Sequence, residues 1–195
     1  MMKNLYFILT FALCFFVSDM AHAQRYLHGQ YGLQFTAGII NGGSIDTKSN
    51  DFAFHAGMAF SGYAKNGNRW MLGGEYLEKR YLYEKITIPQ VQFTAESGYF
   101  FKLLSDGAKT FFLSLGASAL GGYEIINWGE KLLYDGSEIQ YKDAFLYGAA
   151  LTLETETYLV DFIVLLINIK EKLVFGSSMR KFNTQLGLGL KFIIN

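Results

Sequence analysis

The chain has 195 residues, 51% apolar and 17% aromatic, with 17 Lys and Arg set against 17 Asp and Glu. A formal charge of zero lacks the basic excess of a nucleic-acid binder, so no direct nucleic-acid partner is expected. One Cys excludes a disulfide framework or a thiolate zinc site. Twenty-one Gly beside 18 Phe and 13 Tyr, with a single Pro, suit an all-β chain with one face in lipid.

The N-terminus reads as an export signal. Lys3 precedes an apolar core from Leu5 to Val17, and Ala21-His22-Ala23 supplies small residues for cleavage before Gln24. Residues 1–23 are thus expected to be a signal peptide and 24–195 a transmembrane β-barrel domain. No later segment has the ~18 consecutive apolar residues of a spanning helix. A membrane crossing must then use strands closed into a barrel, where every backbone group finds a partner.

Eight segments alternate with period two. In the first, Leu33, Phe35, Ala37 and Ile39 oppose Gly32, Gln34, Thr36 and Gly38. In Phe52–Tyr63, Phe52, Phe54, Ala56, Met58 and Phe60 oppose His55, Gly57 and Ser61. Arg69–Lys79 sets Trp70, Leu72 and Tyr76 against Gly73 and Glu75. Val91–Leu103 sets Val91, Phe93, Ala95, Tyr99, Phe101 and Leu103 against Gln92, Thr94, Glu96, Gly98 and Lys102. Phe111–Ile125 and Phe145–Glu156 continue the pattern, with Glu124, Glu154 and Glu156 on the polar side. Phe162–Leu173 alternates least cleanly. Ile163, Leu165, Ile167 and Ile169 are placed outward and Asn168, Lys170 and Lys172 inward, an assignment that a one-residue slip would reverse. The last segment alternates most clearly: Phe182, Thr184, Leu186, Leu188, Leu190, Phe192 and Ile194 face one way.

Connections alternate as well. Residues 65–68, 105–108 and 157–160 read as short turns; 41–50, 80–90, 126–143 and 174–181 read as longer loops. Short turns belong on the periplasmic side and long loops outside. The apolar face carries bulky Phe, Leu, Trp and Tyr, suited to a convex wall, while the other carries Gly, Ser and Thr, suited to a narrow lumen. Aromatic residues gather toward both strand ends, as membrane girdles do. The expectation is an eight-stranded, antiparallel, up-and-down outer-membrane β-barrel, with outer-membrane lipid as its surroundings.

The polar face collects Glu75, Glu96, Glu124, Glu154 and Glu156 with Lys102, Lys170, Lys172 and Lys191. Such charges are costly in a narrow lumen unless paired. They read as an internal salt-bridge plug, with a narrow ion path as the alternative. In the loops, Tyr81, Tyr83, Trp128, Tyr134, Asp135 and Tyr141 are candidate partner contacts. Extension of the strands into a β-ribbon explains the same aromatics. No catalytic, cofactor or metal motif is present, and the chain is read as non-enzymatic. The nearest approach to a catalytic group is Asp46, Asp51 and His55, where an Asp–His pair could activate water.

Several stretches resemble the TraO family of conjugative transposon proteins from Bacteroides-type mobile elements. They are Gly29-Gln30-Tyr31-Gly32-Leu33, Trp70-Met71-Leu72-Gly73-Gly74-Glu75-Tyr76, Ile88-Pro89, Tyr99 and Leu104-Ser105-Asp106. The most specific is Gly122-Tyr123-Glu124-Ile125-Ile126-Asn127-Trp128-Gly129-Glu130, followed by Leu133-Tyr134-Asp135-Gly136-Ser137. Tyr147-Gly148-Ala149 and Glu154-Thr155-Glu156-Thr157-Tyr158-Leu159 complete the series. The departure is greatest at Phe162–Ser178, which is more apolar here. The resemblance implies a part in conjugative DNA transfer within a type IV secretion-like mating apparatus, with other apparatus proteins as partners. It carries over no catalytic residue. The alternatives are a small OmpX-like surface protein for adhesion or envelope integrity, a membrane-embedded hydrolase, and a soluble periplasmic carrier.

Overall fold

The computed structural model describes residues 29–40, 53–83, 86–129, 143–177 and 181–194, with backbone alone for 82, 83, 86 and 87. Eight strands form one closed antiparallel barrel in chain order. They are β1 (Tyr31–Ile40), β2 (Ala53–Tyr63), β3 (Arg69–Tyr83), β4 (Ile86–Ser105), β5 (Phe111–Ile126), β6 (Ala144–Val160), β7 (Ile163–Phe175) and β8 (Phe182–Ile194). A path across neighbouring strands from Gln30 passes Tyr63, Arg69, Phe100, Gly116, Thr152, Lys170 and Gln185. It returns to β1 at Ile40, ten residues further along. That stagger tilts the strands and leaves a lumen that side chains can fill.

The parity read from the sequence holds on all eight strands for most residues. Met58, Leu72, Phe93, Leu151, Ile167 and Leu188 are exposed on the outside, while Gln34, His55, Glu75, Glu96 and Gln185 are buried inside. The β7 register is the one expected: Ile167 and Ile169 face out, Asn168 and Lys172 face in. An apolar outside around a charged inside inverts the order of a water-soluble protein, and suits a wall that faces lipid.

One end, here the turn end, holds the short connections. Its outer rim carries a linked set of rings, with Tyr31 stacked on Phe60 at 5.4 Å, Phe60 5.7 Å from Trp70, and Tyr99 5.0 Å from Phe101. The loop end carries a second set, with Tyr76 5.3 Å from Phe93 and Tyr147 5.6 Å from Phe175.

The strands run further than expected in two places. β3 and β4 continue as a paired ribbon through Tyr83 and Ile86, across the span read as a loop. β-branched and aromatic residues such as Tyr81, Ile86, Thr87 and Ile88 suit extended, paired backbone. β6 continues to Val160, so the turn lies at Asp161–Phe162 and not at 157–160. A bulge between Tyr158 and Val160 absorbs the extra residue. Val91, expected outward, is 1% exposed.

Candidate functional site

Inward-facing strand positions put charged side chains into the lumen at two levels. At the turn end, β3 contributes Arg69, β6 contributes Glu154 and Glu156, and β8 contributes Lys191, all nearly inaccessible to solvent. Arg69 Nη1 lies 3.1 Å from Glu156 Oε2, and its Nη2 is bonded to Glu154. Lys191 is paired with Glu156 and donates to the Tyr63 hydroxyl at 3.0 Å; that hydroxyl donates to Glu156 at 2.9 Å. The Arg69 guanidinium also lies over the Phe100 ring, 4.2 Å from its centroid. Tyr63, Phe112, Tyr158, Val164, Leu166 and Ile193 pack together at this end as an apolar seal.

Nearer the loop end, Glu75, Glu96, Lys170 and Lys172 form the second level. Lys172 Nζ is 2.6 Å from Glu75 Oε1, and Lys170 Nζ is 2.8 Å from Glu96 Oε2 and 3.4 Å from Glu75 Oε2. Gln185 donates to Glu75 at 2.8 Å and Ser118 to Glu96 at 2.6 Å. His55 Nδ1 stands 3.8 Å from Glu75, beyond hydrogen-bond reach. Beside Glu75, Glu96 and Lys170 lies a gap of about 30 Å³, which Gln34 also lines. A polar gap of that size accommodates one water. Still nearer the loops, Gln92 and Ser177 both donate to Glu124, at 2.7 and 2.6 Å.

Each level sets two cations against two carboxylates, so each is close to neutral by itself. Neutrality within a level is what makes charge tolerable in a low-dielectric lumen. Direct contact between opposite charges leaves side chains filling the bore.

Eight of the nine predicted lumen charges face the lumen. Lys102 does not: it is exposed at the turn end, its backbone N–H donating to Asn68 Oδ1 at 3.0 Å. A register irregularity between Lys102 and Leu104 breaks the alternation just where the strand leaves the wall. Sequence reading missed Arg69 and Tyr63, which sat at strand ends where parity is hardest to assign.

Among the loop candidates, Trp128 is 62% exposed with φ of 52° in a short 3-10 turn, Asn127–Gly129. Left-handed backbone at a bulky residue is strained. Tyr81 is half-buried, with Lys79 Nζ 4.6 Å from its ring centroid, and Tyr83 is placed by its pairing with Ile86. Tyr134, Asp135 and Tyr141 lie outside the described residues, as do Asp46 and Asp51. His55 faces the lumen at 2% exposure.

In the short turn between β4 and β5, Asp106 accepts from the backbone N–H of Thr110 at 2.7 Å and of Phe111 at 2.9 Å. Slight burial raises its carboxyl, but the Thr110 hydroxyl and these amides outweigh it and hold it below the ordinary value.

With this geometry in view, sequence comparison is decisive. A family model described as conjugative transposon protein TraO matches residues 27–194. The chain belongs to the TraO family. A search of curated protein sequences finds no match. Among solved structures, this TraO-family barrel is similar to Neisserial surface protein A, at 13% identity and a TM-score of 0.53. The alignment covers 84% of this chain and 96% of that one. The N-terminal β-barrel domain of Pseudomonas aeruginosa OprF aligns at 14% identity and a TM-score of 0.46, covering 86% and 100%. Yersinia pestis Ail aligns at 12% identity and 0.45, covering 85% and 100%. The match to the Neisserial barrel is a match of fold, and the TraO chain shares with it the closed outer-membrane β-barrel architecture.

Proposed function

We propose that this TraO-family barrel is a non-enzymatic outer-membrane component of a conjugative transfer apparatus of the type IV secretion kind. The observation that carries the reading is the family match across residues 27–194, which spans all eight strands. Two further features support it. Opposed charges fill the bore, which suits an anchor or scaffold better than a conduit for DNA. Trp128, exposed at the loop end, offers aromatic surface to other apparatus proteins. In this reading residues 1–23 are a cleaved signal peptide, the short turns face the periplasm, and the long loops face outward.

The test is mating frequency from a donor carrying an in-frame deletion, with plasmid complementation. A large loss restored by the plasmid is expected; unchanged transfer would overturn the role. The second reading, an OmpX-like surface protein for adhesion or envelope integrity, is favoured by the fold shared with a Neisserial surface protein. Lost attachment or detergent resistance with normal mating would put it first.

A further inference from the structure

The outward side of the wall is not evenly filled. Across β1 to β4 it is hollowed into an apolar groove of about 500 Å³. Ala56 of β2 and Gly74 of β3 form its floor, with Phe35, Met58, Tyr76 and Phe93 around it. The Glu75 carboxylate points the other way, to Lys172 in the lumen, so an apolar occupant fits. Met58 is 60% exposed and stands beside Gly74, its cross-strand partner.

Gly74 has no reason within its own chain for being glycine. In the lumen, a Cβ added at Gly38, Gly122 or Gly148 would collide with the carbonyl oxygen of Leu186, Phe93 or Leu173. At Gly74 the nearest atom to an added Cβ is the Thr94 oxygen at 3.8 Å, an ordinary contact. Its φ is not positive either. Glycine weakens a strand interior, and where the strand itself does not need it, it marks a close approach from outside.

We propose that this face is where two copies of the barrel pack together in the membrane, Met58 of each entering the groove of the other over Gly74. In lipid, association comes from close packing, and small residues permit the approach. Two convex cylinders touch along a line, so a hollow flanked by a projecting side chain is what widens the contact. Two copies in one membrane are related by a two-fold axis along its normal, which keeps every residue at its own depth. Knob and hollow must then lie at one depth, and cross-strand partners differ by only ~3 Å of it. The same pair therefore meets twice, Met58 over Gly74 and Gly74 under Met58. The face from β1 to β4 spans about 20 Å of an apolar band ~25 Å tall, about 500 Å² in projection. Side-chain relief raises that to the order of the ~800 Å² that each partner of a standard interface gives. The inference rests on the barrel lying in lipid, and not on a role in DNA transfer.

The test uses the full chain in its own envelope, in two copies with different tags. The first carries Met58→Cys and the second Gly74→Cys; copies without an added cysteine set the background from Cys14. Leu151→Cys with Leu188→Cys, both exposed on the far wall, measures chance collision. Membrane fractionation and heat-dependent gel mobility first establish that each variant is a folded barrel. A parent that fails there overturns the membrane placement, whereas a folded barrel that does not pair overturns this inference alone. Oxidation is expected to join positions 58 and 74 of the two copies well above the far-wall yield. Gly74→Leu added to the first copy blocks the reciprocal contact and should cut the adduct about tenfold. Met58→Gly in the second copy makes room for that leucine and should restore the adduct, which a loss of barrel stability would not allow. If Gly74→Leu misfolds, Gly74→Ala takes its place, with a smaller loss expected. A yield equal to the far-wall control, as a lipid-filled groove gives, would overturn the proposal. So would an adduct with a different protein, or one that Gly74→Leu leaves unchanged.

Discussion

The two charge levels in the lumen have the same formal make-up and different construction. The turn-end level uses an arginine whose fork reaches two carboxylates at once, stacks that arginine on Phe100, and lies against an apolar seal. The loop-end level uses two lysines, places His55 out of hydrogen-bond range of Glu75, and leaves a gap of about 30 Å³. A planar guanidinium is preorganised for two carboxylates, whereas an ammonium is a point charge that water can replace. Equal formal charge therefore yields an interlocked level at one end and a more adaptable one at the other.

Removing a cation from each level is the most direct way to break this comparison. Arg69→Met leaves Lys191 as the one cation facing Glu154 and Glu156 in this level, and should cost about 4 kcal/mol of stability. Lys172→Met leaves Glu75 with Lys170 and Gln185 beside a gap where water can enter, so about 2 kcal/mol is expected. Urea titration of the barrel in detergent, followed by gel mobility, measures both; equal losses would remove the distinction.

Asp106 sharpens the same comparison from outside the lumen, because its turn needs no burial to bind charge. Asp106→Asn should cost less than either lumen variant. The folded carboxyl is held below its ordinary value of 3.8, so its contribution is complete above that pH and disappears as pH falls through the lower folded value. The gap between the Asn variant and the parent in urea midpoint should therefore close in acid and stay constant toward neutral pH. The smallest expected effect is none at all. The parent barrel in a planar bilayer should show no steady nanosiemens-scale opening, and Glu75→Ala with Lys170→Ala should leave it closed, because the turn-end seal is untouched. A steady current from the double variant would show that the loop-end level is the gate.

Much of the wall was legible in the sequence, because a period of two needs only neighbours along the strand. Even the doubtful β7 register was readable from Asn168, Lys170 and Lys172. The grouping of charges into levels was not legible. It depends on the ten-residue stagger, which brings Arg69 of β3 to Glu154 of β6 without their ever being cross-strand partners. Lys102 failed for a local reason, since an irregularity at the strand end breaks the alternation on which its assignment rested. The 80–90 span was misread because its charged and aromatic residues suit both a loop and a ribbon, and only pairing separates them.

β1 pairs with β8 over ten residues, from Tyr31 with Ile194 to Ile40 with Gln185. Synthesis delivers these two strands far apart in time. Until β8 arrives, β1 presents a row of unpaired amides and carbonyls next to Phe35 and Ile39, an arrangement that invites pairing with any other open strand. The finished cylinder has no such edge, so its assembly is a race between closing on itself and joining a neighbour. Loss of β8 would do more than subtract one strand: it would turn an inert tube into a sheet adhesive at both margins.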